Sequence, residues 1–159
     1  MVTRIISVGK LKEPFYQAAA DEFAKRLSRY STLEVIEVRD EKAPENLSRL
    51  QREAIKEAEG ARILNKTSAA DFVVAAAIEG ERLTSEQLSA RIQCWMTGGR
   101  SRICFVIGGS LGLSKSVMQR ADCAVSFSSM TFPHQLFRLM LMEQIYRAFK
   151  IMNNEPYHK

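Results

Sequence analysis

Two strand-to-loop junctions in the last third of the chain carry residue types that suit the binding of a small molecule. The first is an apolar run at 103–107 followed by the glycine-rich loop 108–112. The second is an apolar run at 124–127 followed by the hydroxyl-rich segment 128–135. Ligands of open α/β sheets bind in the crevice beyond the carboxyl ends of the strands. We therefore expect these two loops to form two walls of one pocket.

The glycine-rich loop does not match a nucleotide-binding signature. Its order of residues, Gly-Gly-Ser-Leu-Gly, lacks the G-x-G-x-x-G spacing of dinucleotide folds and the Gly-Lys-Ser/Thr ending of phosphate loops. What it offers is backbone without a Cβ, which can come close to a ligand. A tight turn without a ligand is the alternative interpretation.

The segment 126–135 is more specific. Small hydroxyl residues alternate there with Phe127, Met130 and Phe132, directly before a proline that begins the last helix. Such a loop offers free backbone amides and carbonyls between apolar walls, which suits an adenine ring and a thioether. A phosphate pocket would show more glycine and a lysine. Capping of the helix by Thr131 is the alternative interpretation.

The two histidines are candidates for acid–base chemistry, because imidazole titrates near neutral pH. His134 lies in the first turn of the last helix, where the positive helix end lowers the pKa of the ring and keeps it neutral. A capping or RNA-facing role fits His134 at least as well as catalysis. His158 lies in the terminal Tyr157-His158-Lys159, where a frayed tail without function is the usual interpretation.

The elements that must position these residues follow from hydrophobic periodicity, which predicts strands and helices in alternation. The predicted strands are 4–8, 33–38, 72–78, 103–107 and 124–127. The predicted helices are about 14–30, 48–65, 84–97, a short one begun by Ser114, and 133–152. In the second helix, the residues predicted to face the core are Leu50, Ala54, Ala58, Ala61 and Leu64. This order predicts one α/β domain over residues 1–159, with a mainly parallel sheet and helices on both faces.

The last helix carries more apolar surface than one core contact can cover. Its apolar residues occupy well over half of the circumference, and a helix of this kind is buried on two sides. In a chain of this size, the second side is expected to meet another copy of the chain, through an isologous two-fold contact. A core helix that is fully wrapped within one subunit is the alternative.

Composition and charge narrow the class of protein. The net charge of +5 and the pI near 9.3 are compatible with a polyanionic partner such as nucleic acid. The cysteines Cys94, Cys104 and Cys123 match no zinc spacing, so reduced thiols and no metal site are expected. No apolar run reaches the roughly 20 residues of a membrane helix. The first residues are too short and too strand-like for a signal peptide, so a cytoplasmic protein is expected.

Several segments, taken in order, make the whole chain resemble a known family. They are Val8-Gly9-Lys10-Leu11-Lys12, the Asp40-Glu41-Lys42 loop, Val106-Ile107-Gly108-Gly109-Ser110, the run from Ser126 to Gln135, and the terminal Tyr157-His158-Lys159. Together they resemble the 23S ribosomal RNA (pseudouridine-N3)-methyltransferase family, a minimal group of SPOUT-class RNA methyltransferases. The run before the last helix and the Tyr-His-Lys ending are the most specific parts of this resemblance.

The resemblance implies a C-terminal trefoil knot at about 103–152 that binds S-adenosylmethionine. It also implies methylation of N3 of a pseudouridine in helix 69, a stem-loop of 23S ribosomal RNA, by a homodimer acting on the assembled 70S ribosome. By position, the residues implied to bind the methyl donor are Ala76, Gly108, Phe127, Ser128, Ser129, Met130, Thr131 and Phe132. The family usually has leucine and an acid where this chain has Ala76 and Ala77, which thins one wall. Leu111 stands where a polar residue is usual.

The roles of the remaining site residues are read from the same resemblance. We interpret the terminal tail of one subunit as closing over the base bound by its partner. His158 would accept or relay the N3 proton, Tyr157 would hold the base, and Lys159 would meet a phosphate. Further candidates for RNA contacts are Lys10, Lys12, His134 and Arg138, with solvated surface charge as the alternative for the basic ones.

Two other functions stay open at this point. One is a related SPOUT methyltransferase that acts on transfer RNA. The other is a noncatalytic ribosome-associated dimer, which only the pair Ala76-Ala77 favours. No metal is needed for the methyl transfer, because the leaving group is a neutral thioether.

Overall fold

Five strands and five helices alternate along the chain in the computed structural model, which describes residues 1–159. The strands are β1 (Val2–Val8), β2 (Thr32–Val38), β3 (Phe72–Arg82), β4 (Arg102–Ile107) and β5 (Cys123–Ser126). The helices are α1 (Pro14–Leu27), α2 (Arg49–Leu64), α3 (Ser85–Thr97), α4 (Lys115–Arg120) and α5 (His134–Met152). All strands pair in parallel, in the order β2-β1-β4-β3-β5. The predicted α/β fold is confirmed.

Side chains of the strands alternate between the two faces of the sheet, and each face carries its own apolar core. Ile5 of β1 packs with α1, α3 and α5, whereas its neighbour Ile6 packs on the side of α2 and α4. The central strand β4 alternates in the same way, with Phe105 in the first core and Val106 in the second. Both faces of the sheet are therefore covered by helices, as predicted.

Local sequence signals set the starts of two helices. Ser48 accepts a hydrogen bond from the backbone N–H of Gln51, and Thr84 accepts one from Gln87. Each glutamine side chain returns a bond to the backbone of its cap, which completes two capping boxes. Helix α5 instead begins behind Pro133 without a side-chain cap, so the alternative of a capping Thr131 is wrong.

The buried face of α2 differs from the predicted one. Leu50 is 79% exposed, and the buried residues of the helix are Glu59, Gly60 and Ile63. A Cβ at position 60 would lie 2.1 Å from the Oγ atom of Ser114, which caps α4. Helix α2 therefore approaches α4 through a glycine and not through its alanines.

Strand β3 runs beyond its predicted end and is irregular. Ala76 and Glu81 both pair with Val125 of β5, so residues 77–80 stand outside the ladder. The pairing of β3 with β4 ends at Ala76. A Cβ on Gly80 would lie 2.7 Å from backbone atoms of Val125, so only glycine lets β3 return to β5. The segment 77–80 is thereby free to face the carboxyl edge of the sheet.

The cysteines are free thiols, as expected. Burial raises the pKa of Cys104 to about 12 and the pKa of Cys123 to about 11. Both groups are protonated at neutral pH, and the thiolate is the reactive form of cysteine. These two residues therefore serve packing and not chemistry.

The final part of the chain passes from one face of the sheet to the other. It leaves β4, forms α4, passes to β5 beyond β3, and returns along α5, which packs against α1 and α3. The trefoil knot expected at about 103–152 stays a prediction. No helix combines the length and the apolar composition that crossing a bilayer demands.

Candidate functional site

A cavity of about 570 Å³ opens at the carboxyl edge of the sheet, where β3, β4 and β5 end. This volume is typical of small-molecule sites. The walls are formed by residues 76–79, 107–113, 126–128 and 130–134, together with Lys56 and Phe137. The three strands are neighbours in the sheet, so the loops that follow them meet. The two loops that the sequence marks as pocket walls do line one cavity.

Seven of the eight residues implied to bind S-adenosylmethionine line this cavity. They are Ala76, Gly108, Phe127, Ser128, Met130, Thr131 and Phe132. Ser129 is exposed and does not belong to the lining. The structure therefore brings the set together with one exception, and binding by these residues stays a prediction.

Gly108 is fixed by the close return of its own loop. A Cβ at this position would lie 2.6 Å from the carbonyl carbon of Gly112 and 2.9 Å from the backbone nitrogen of Leu113. Backbone atoms cannot give way as the end of a flexible side chain can. Gly112 itself has a φ of 87°, a conformation that favours glycine. The glycines therefore let this loop turn back on itself at the wall of the cavity.

The loop after β5 is held by short-range bonds that leave much of its backbone free. The Ser126 hydroxyl donates to the Ser128 carbonyl at 3.1 Å, and the Ser128 hydroxyl accepts from the Met130 N–H at 3.0 Å. The rings of Phe127 and Phe137 pack with centroids 5.0 Å apart. The loop thus presents apolar walls with backbone polar groups between them.

Few charged side chains face the cavity. Lys56 and Glu79 are the only lysine, arginine, aspartate or glutamate among the lining residues. Recognition of a ligand here depends on backbone groups and apolar contact, with one charge of each sign available. Such a site suits a nucleoside with a thioether better than it suits a bare phosphate.

His134 lines the cavity and does not cap the helix. A Cβ on Gly9, at the end of β1, would lie 3.0 Å from its Nε2 atom, so the ring packs against that glycine. Partial burial lowers the pKa of His134, and the nearby Arg138 lowers it further. The predicted direction of the shift is confirmed, although burial is its first cause. The ring is therefore neutral near pH 7.

Arg138 is not available for the RNA contact that we expected. Its side chain is only 2% exposed. Nη1 donates to Oε1 of Glu37 at 2.6 Å, and Nη2 donates to the Gly9 carbonyl at 2.7 Å. Both contacts are internal, so this assignment is corrected to a structural role. Lys10 and Lys12, by contrast, are exposed on the loop between β1 and α1.

The terminal tail lies on the helices of its own subunit and outside its own cavity. The Tyr157 hydroxyl donates to Oε1 of Glu143 at 2.9 Å, and Nε2 of His158 lies 2.7 Å from Oε1 of Glu86. Lys159 is exposed. Within one subunit, the structure does not bring the predicted catalytic residues to the predicted cofactor residues.

The contacts of the tail affect the pKa values of Glu86 and Tyr157. Nη1 of Arg147 lies 3.3 Å from Nδ1 of His158, and a guanidinium can only donate. If Nδ1 accepts this bond, Nε2 is the nitrogen that donates to Glu86. The pKa of Glu86 is lowered to about 2 by its own backbone N–H, by Thr84 and by His158. Burial and the bond to Glu143 raise the pKa of Tyr157, which therefore stays protonated.

Glu59 is a site residue that the sequence reasoning missed. Its side chain is buried, and a Cβ on Gly109 would lie 2.7 Å from its Oε2 atom. Oε1 accepts from the backbone N–H of Glu41 at 2.9 Å, whereas Oε2 has no partner. Burial raises the pKa of Glu59. This carboxyl group packs against Gly109 of the glycine-rich loop. No local pattern in the sequence of α2 distinguishes Glu59 from a surface glutamate.

Comparison with known proteins places the chain in a family. The profile of the family described as "Predicted SPOUT methyltransferase" matches residues 1–158. The chain belongs to the SPOUT methyltransferase family. It is 57% identical over 155 residues to the ribosomal RNA large subunit methyltransferase H of Bacillus cytotoxicus, with 98% of each chain covered. The protein of the same name from Bifidobacterium animalis subsp. lactis is 58% identical, and that from Clostridioides difficile is 55% identical, at the same coverage.

A solved structure supports the fold of this methyltransferase. A probable methylase family protein from Haemophilus influenzae Rd KW20 superposes with a TM-score of 0.50 at 12% identity. The match covers 96% of this chain and 66% of that one. At this identity, the likeness concerns the fold alone.

Proposed function

We propose that this SPOUT methyltransferase transfers the methyl group of S-adenosylmethionine to N3 of a pseudouridine in helix 69 of 23S ribosomal RNA, within the assembled ribosome. The observation that carries the proposal is the cavity at which seven of the eight expected cofactor residues meet. The names of the relatives support large-subunit ribosomal RNA as the class of substrate. The net charge of +5 suits such a polyanion.

The residues of the cavity fit S-adenosylmethionine. The bare backbone at Gly108 allows close approach, and the loop 127–132 offers amides and carbonyls to the edge of an adenine ring. Lys56 and Glu79 provide one charge of each sign, which suits a zwitterionic amino-acid group. When bound, S-adenosylmethionine supplies an electrophilic methyl carbon on its sulfonium. Ala76 lines the cavity without a leucine side chain, so the wall is thinner there but present.

A homodimer is part of the proposal. A second cavity of about 590 Å³ runs along α5, and its apolar lining includes Leu136, Leu139 and Met140. It shares the lining residues Ser126 and Phe127 with the first cavity, so the two cavities are adjacent. An unfilled apolar groove beside the cofactor cavity is a suitable seat for α5 of a second copy. The trefoil knot, proposed from family membership, would hold the loops 108–112 and 127–132 against each other.

In the proposed mechanism, the tail of each subunit acts at the cavity of its partner. The lone pair on Nδ1 of His158 is the proposed proton acceptor, at the ring nitrogen that lies 3.3 Å from Nη1 of Arg147. Glu86 steadies the ring through Nε2, which favours the protonated imidazole after the transfer. The protonated hydroxyl of Tyr157 can donate to a carbonyl of the base. Alignment of donor and acceptor by these groups can lower the barrier by roughly 7–11 kcal/mol.

Methyl transfer to two substrates tests the proposed reaction. The enzyme is supplied with isotopically labelled S-adenosylmethionine and either 70S ribosomes that lack the modification or bulk transfer RNA. We expect label in 23S ribosomal RNA only, recovered as N3-methylpseudouridine after digestion and mass spectrometry. Label in transfer RNA would support the related methyltransferase instead. Binding of S-adenosylmethionine without transfer to either RNA would contradict the proposal.

Mixed dimers test the action of the tail across the subunit interface. One variant lacks residues 157–159, and the other carries Gly108→Ala in the cavity. The tail-deleted variant alone is expected to be inactive, and Gly108→Ala alone is expected to be weakly active at limiting S-adenosylmethionine, whereas mixed dimers contain one intact pair of tail and cavity. Restored activity on mixing supports the proposal. Activity in the tail-deleted variant alone, or none after subunit exchange is confirmed by mass spectrometry, contradicts it.

A further inference from the structure

An aromatic ring stands exposed at the start of α1. Phe15, in the first turn of α1, is 63% exposed. Its ring packs only partly against Tyr16, with centroids 4.4 Å apart and planes tilted by 51°. A single exposed apolar side chain is common on protein surfaces. Its significance therefore depends on what surrounds it and on where it is held.

Two exposed lysines precede Phe15 closely in the chain. Lys10 and Lys12 are exposed on the loop that leads into α1, with Glu13 as the one acid between them and the helix. An exposed aromatic ring beside basic side chains is the arrangement by which proteins bind single-stranded nucleic acid. The ring stacks on an unpaired base, and the cations meet the phosphates.

The loop that carries these residues is tied to the mouth of the cavity. The backbone N–H of Lys12 donates to Oε1 of Gln135 at 2.7 Å, and the Gln17 amide donates to the Leu11 carbonyl at 2.7 Å. Gln135 directly follows His134, which lines the cavity. Three residues of extended chain span at most about 11 Å. The Cα atom of Phe15 therefore lies within that distance of the Cα atom of Lys12, which is itself bonded to the residue after His134.

We propose that Phe15 is a stacking platform for an unpaired base of the substrate RNA, adjacent to the base that is methylated. Lys10 and Lys12 then bind the phosphates on either side of the stacked base. The proposal rests on the proposed function for its substrate. RNA is favoured over a protein partner because two exposed lysines precede the ring and because their loop is bonded to Gln135, the residue after the cavity-lining His134.

Steady-state methylation of 70S ribosomes tests the platform. Phe15→Ala is expected to raise the KM for ribosomes by about tenfold, the effect of losing one stacked base. Its kcat and the Kd for S-adenosylmethionine, measured by calorimetry, are expected to stay unchanged. Phe15→Trp and Phe15→Tyr are expected to keep the wild-type KM, because both retain an aromatic face. Leu50→Ala removes another exposed apolar side chain, 79% exposed on α2, and serves as the matched control.

Three outcomes overturn the proposal. One is an unchanged KM for ribosomes in Phe15→Ala when the wild-type enzyme is active, and another is the same loss in Leu50→Ala. The third is a shift of Phe15→Ala to a smaller species in sedimentation, which would assign the ring to a subunit contact. If the wild-type enzyme methylates no ribosome, the proposed function fails. The platform is then judged by fluorescence anisotropy with a labelled oligouridylate, for which Phe15→Ala must bind about tenfold more weakly than wild type.

Discussion

Gly108→Ala places one methyl group where the glycine-rich loop returns on itself. The new Cβ would lie 2.6 Å from the Gly112 carbonyl carbon, so that backbone must retreat by about 0.8 Å before ordinary contact begins at 3.4 Å. Forcing extra volume into such a place costs roughly 1–3 kcal/mol. The displaced atoms belong to the wall of the cofactor cavity, so binding suffers together with stability. We expect the affinity for S-adenosylmethionine to fall by at least about tenfold, which corresponds to about 1.4 kcal/mol.

Calorimetric titration with S-adenosylmethionine and urea denaturation measure the two effects of Gly108→Ala separately. Gly99→Ala is the matched control, because Gly99 has a φ of 83° but no atom within 4 Å of a Cβ. The control should lose about 1–2 kcal/mol from backbone strain and keep its affinity. If Gly108→Ala binds as tightly as wild type, the loop 108–112 is not a wall of the donor site. If both variants lose affinity equally, general destabilisation explains the loss.

Three further changes probe the supports of the site. Arg138→Met removes the hydrogen bonds to Glu37 and to the Gly9 carbonyl. It should lower the free energy of unfolding, measured with urea, by roughly 2–3 kcal/mol. A loss below about 0.5 kcal/mol would contradict the structural role of Arg138. Burial raises the pKa of Glu59, so the folded state holds the proton of this carboxyl group to a higher pH than the unfolded state does. The free energy of unfolding therefore falls as the pH rises above the ordinary glutamate pKa. Glu59→Gln should therefore gain stability relative to wild type as the pH rises above the ordinary glutamate pKa of about 4.3, and a difference that does not change with pH would refute the shift. The double change of Lys10 and Lys12 to Gln should reduce the salt dependence of ribosome binding by about 0.7–0.9 in log–log slope per lost phosphate contact, and an unaltered slope would exclude both residues from the interface.

Much of the fold could be predicted from the sequence because its signals are local. The apolar run 103–107 is a strand in the structure as Arg102–Ile107, since a central strand covered on both faces needs no polar alternation. The capping boxes at Ser48 and Thr84 each lie within four consecutive residues and set the start of their helices. The pocket could be predicted as well, because parallel strands bring their carboxyl ends to one edge.

The predictions that were wrong concern side chains whose environment comes from distant parts of the chain. Arg138 is buried because Glu37, 101 residues earlier, supplies its counter-charge. No pattern in the sequence around Arg138 indicates this partner. The buried face of α2 was predicted wrongly because its alanines are compatible with more than one face of the helix being buried. The buried face is determined by two contacts, of Gly60 with Ser114 and of Glu59 with Gly109. Ser114 and Gly109 lie much later in the chain.

The order of the strands explains why one subunit forms the whole of the proposed cofactor cavity but keeps the proposed catalytic residues of the tail outside it. Because β3 lies between β4 and β5, the loop 108–112, the segment 77–80 and the loop 127–132 meet over the end of one strand. The tail follows α5, turns back along it, and contacts Glu143 of that helix and Glu86 at the start of α3. The beginning of α5 thus lines the cavity, whereas the tail lies on the helices outside the cavity lining. In the proposed dimer, the tail of one copy reaches the cavity of the other, which would bring together at one base the two sets of residues that a single subunit keeps apart.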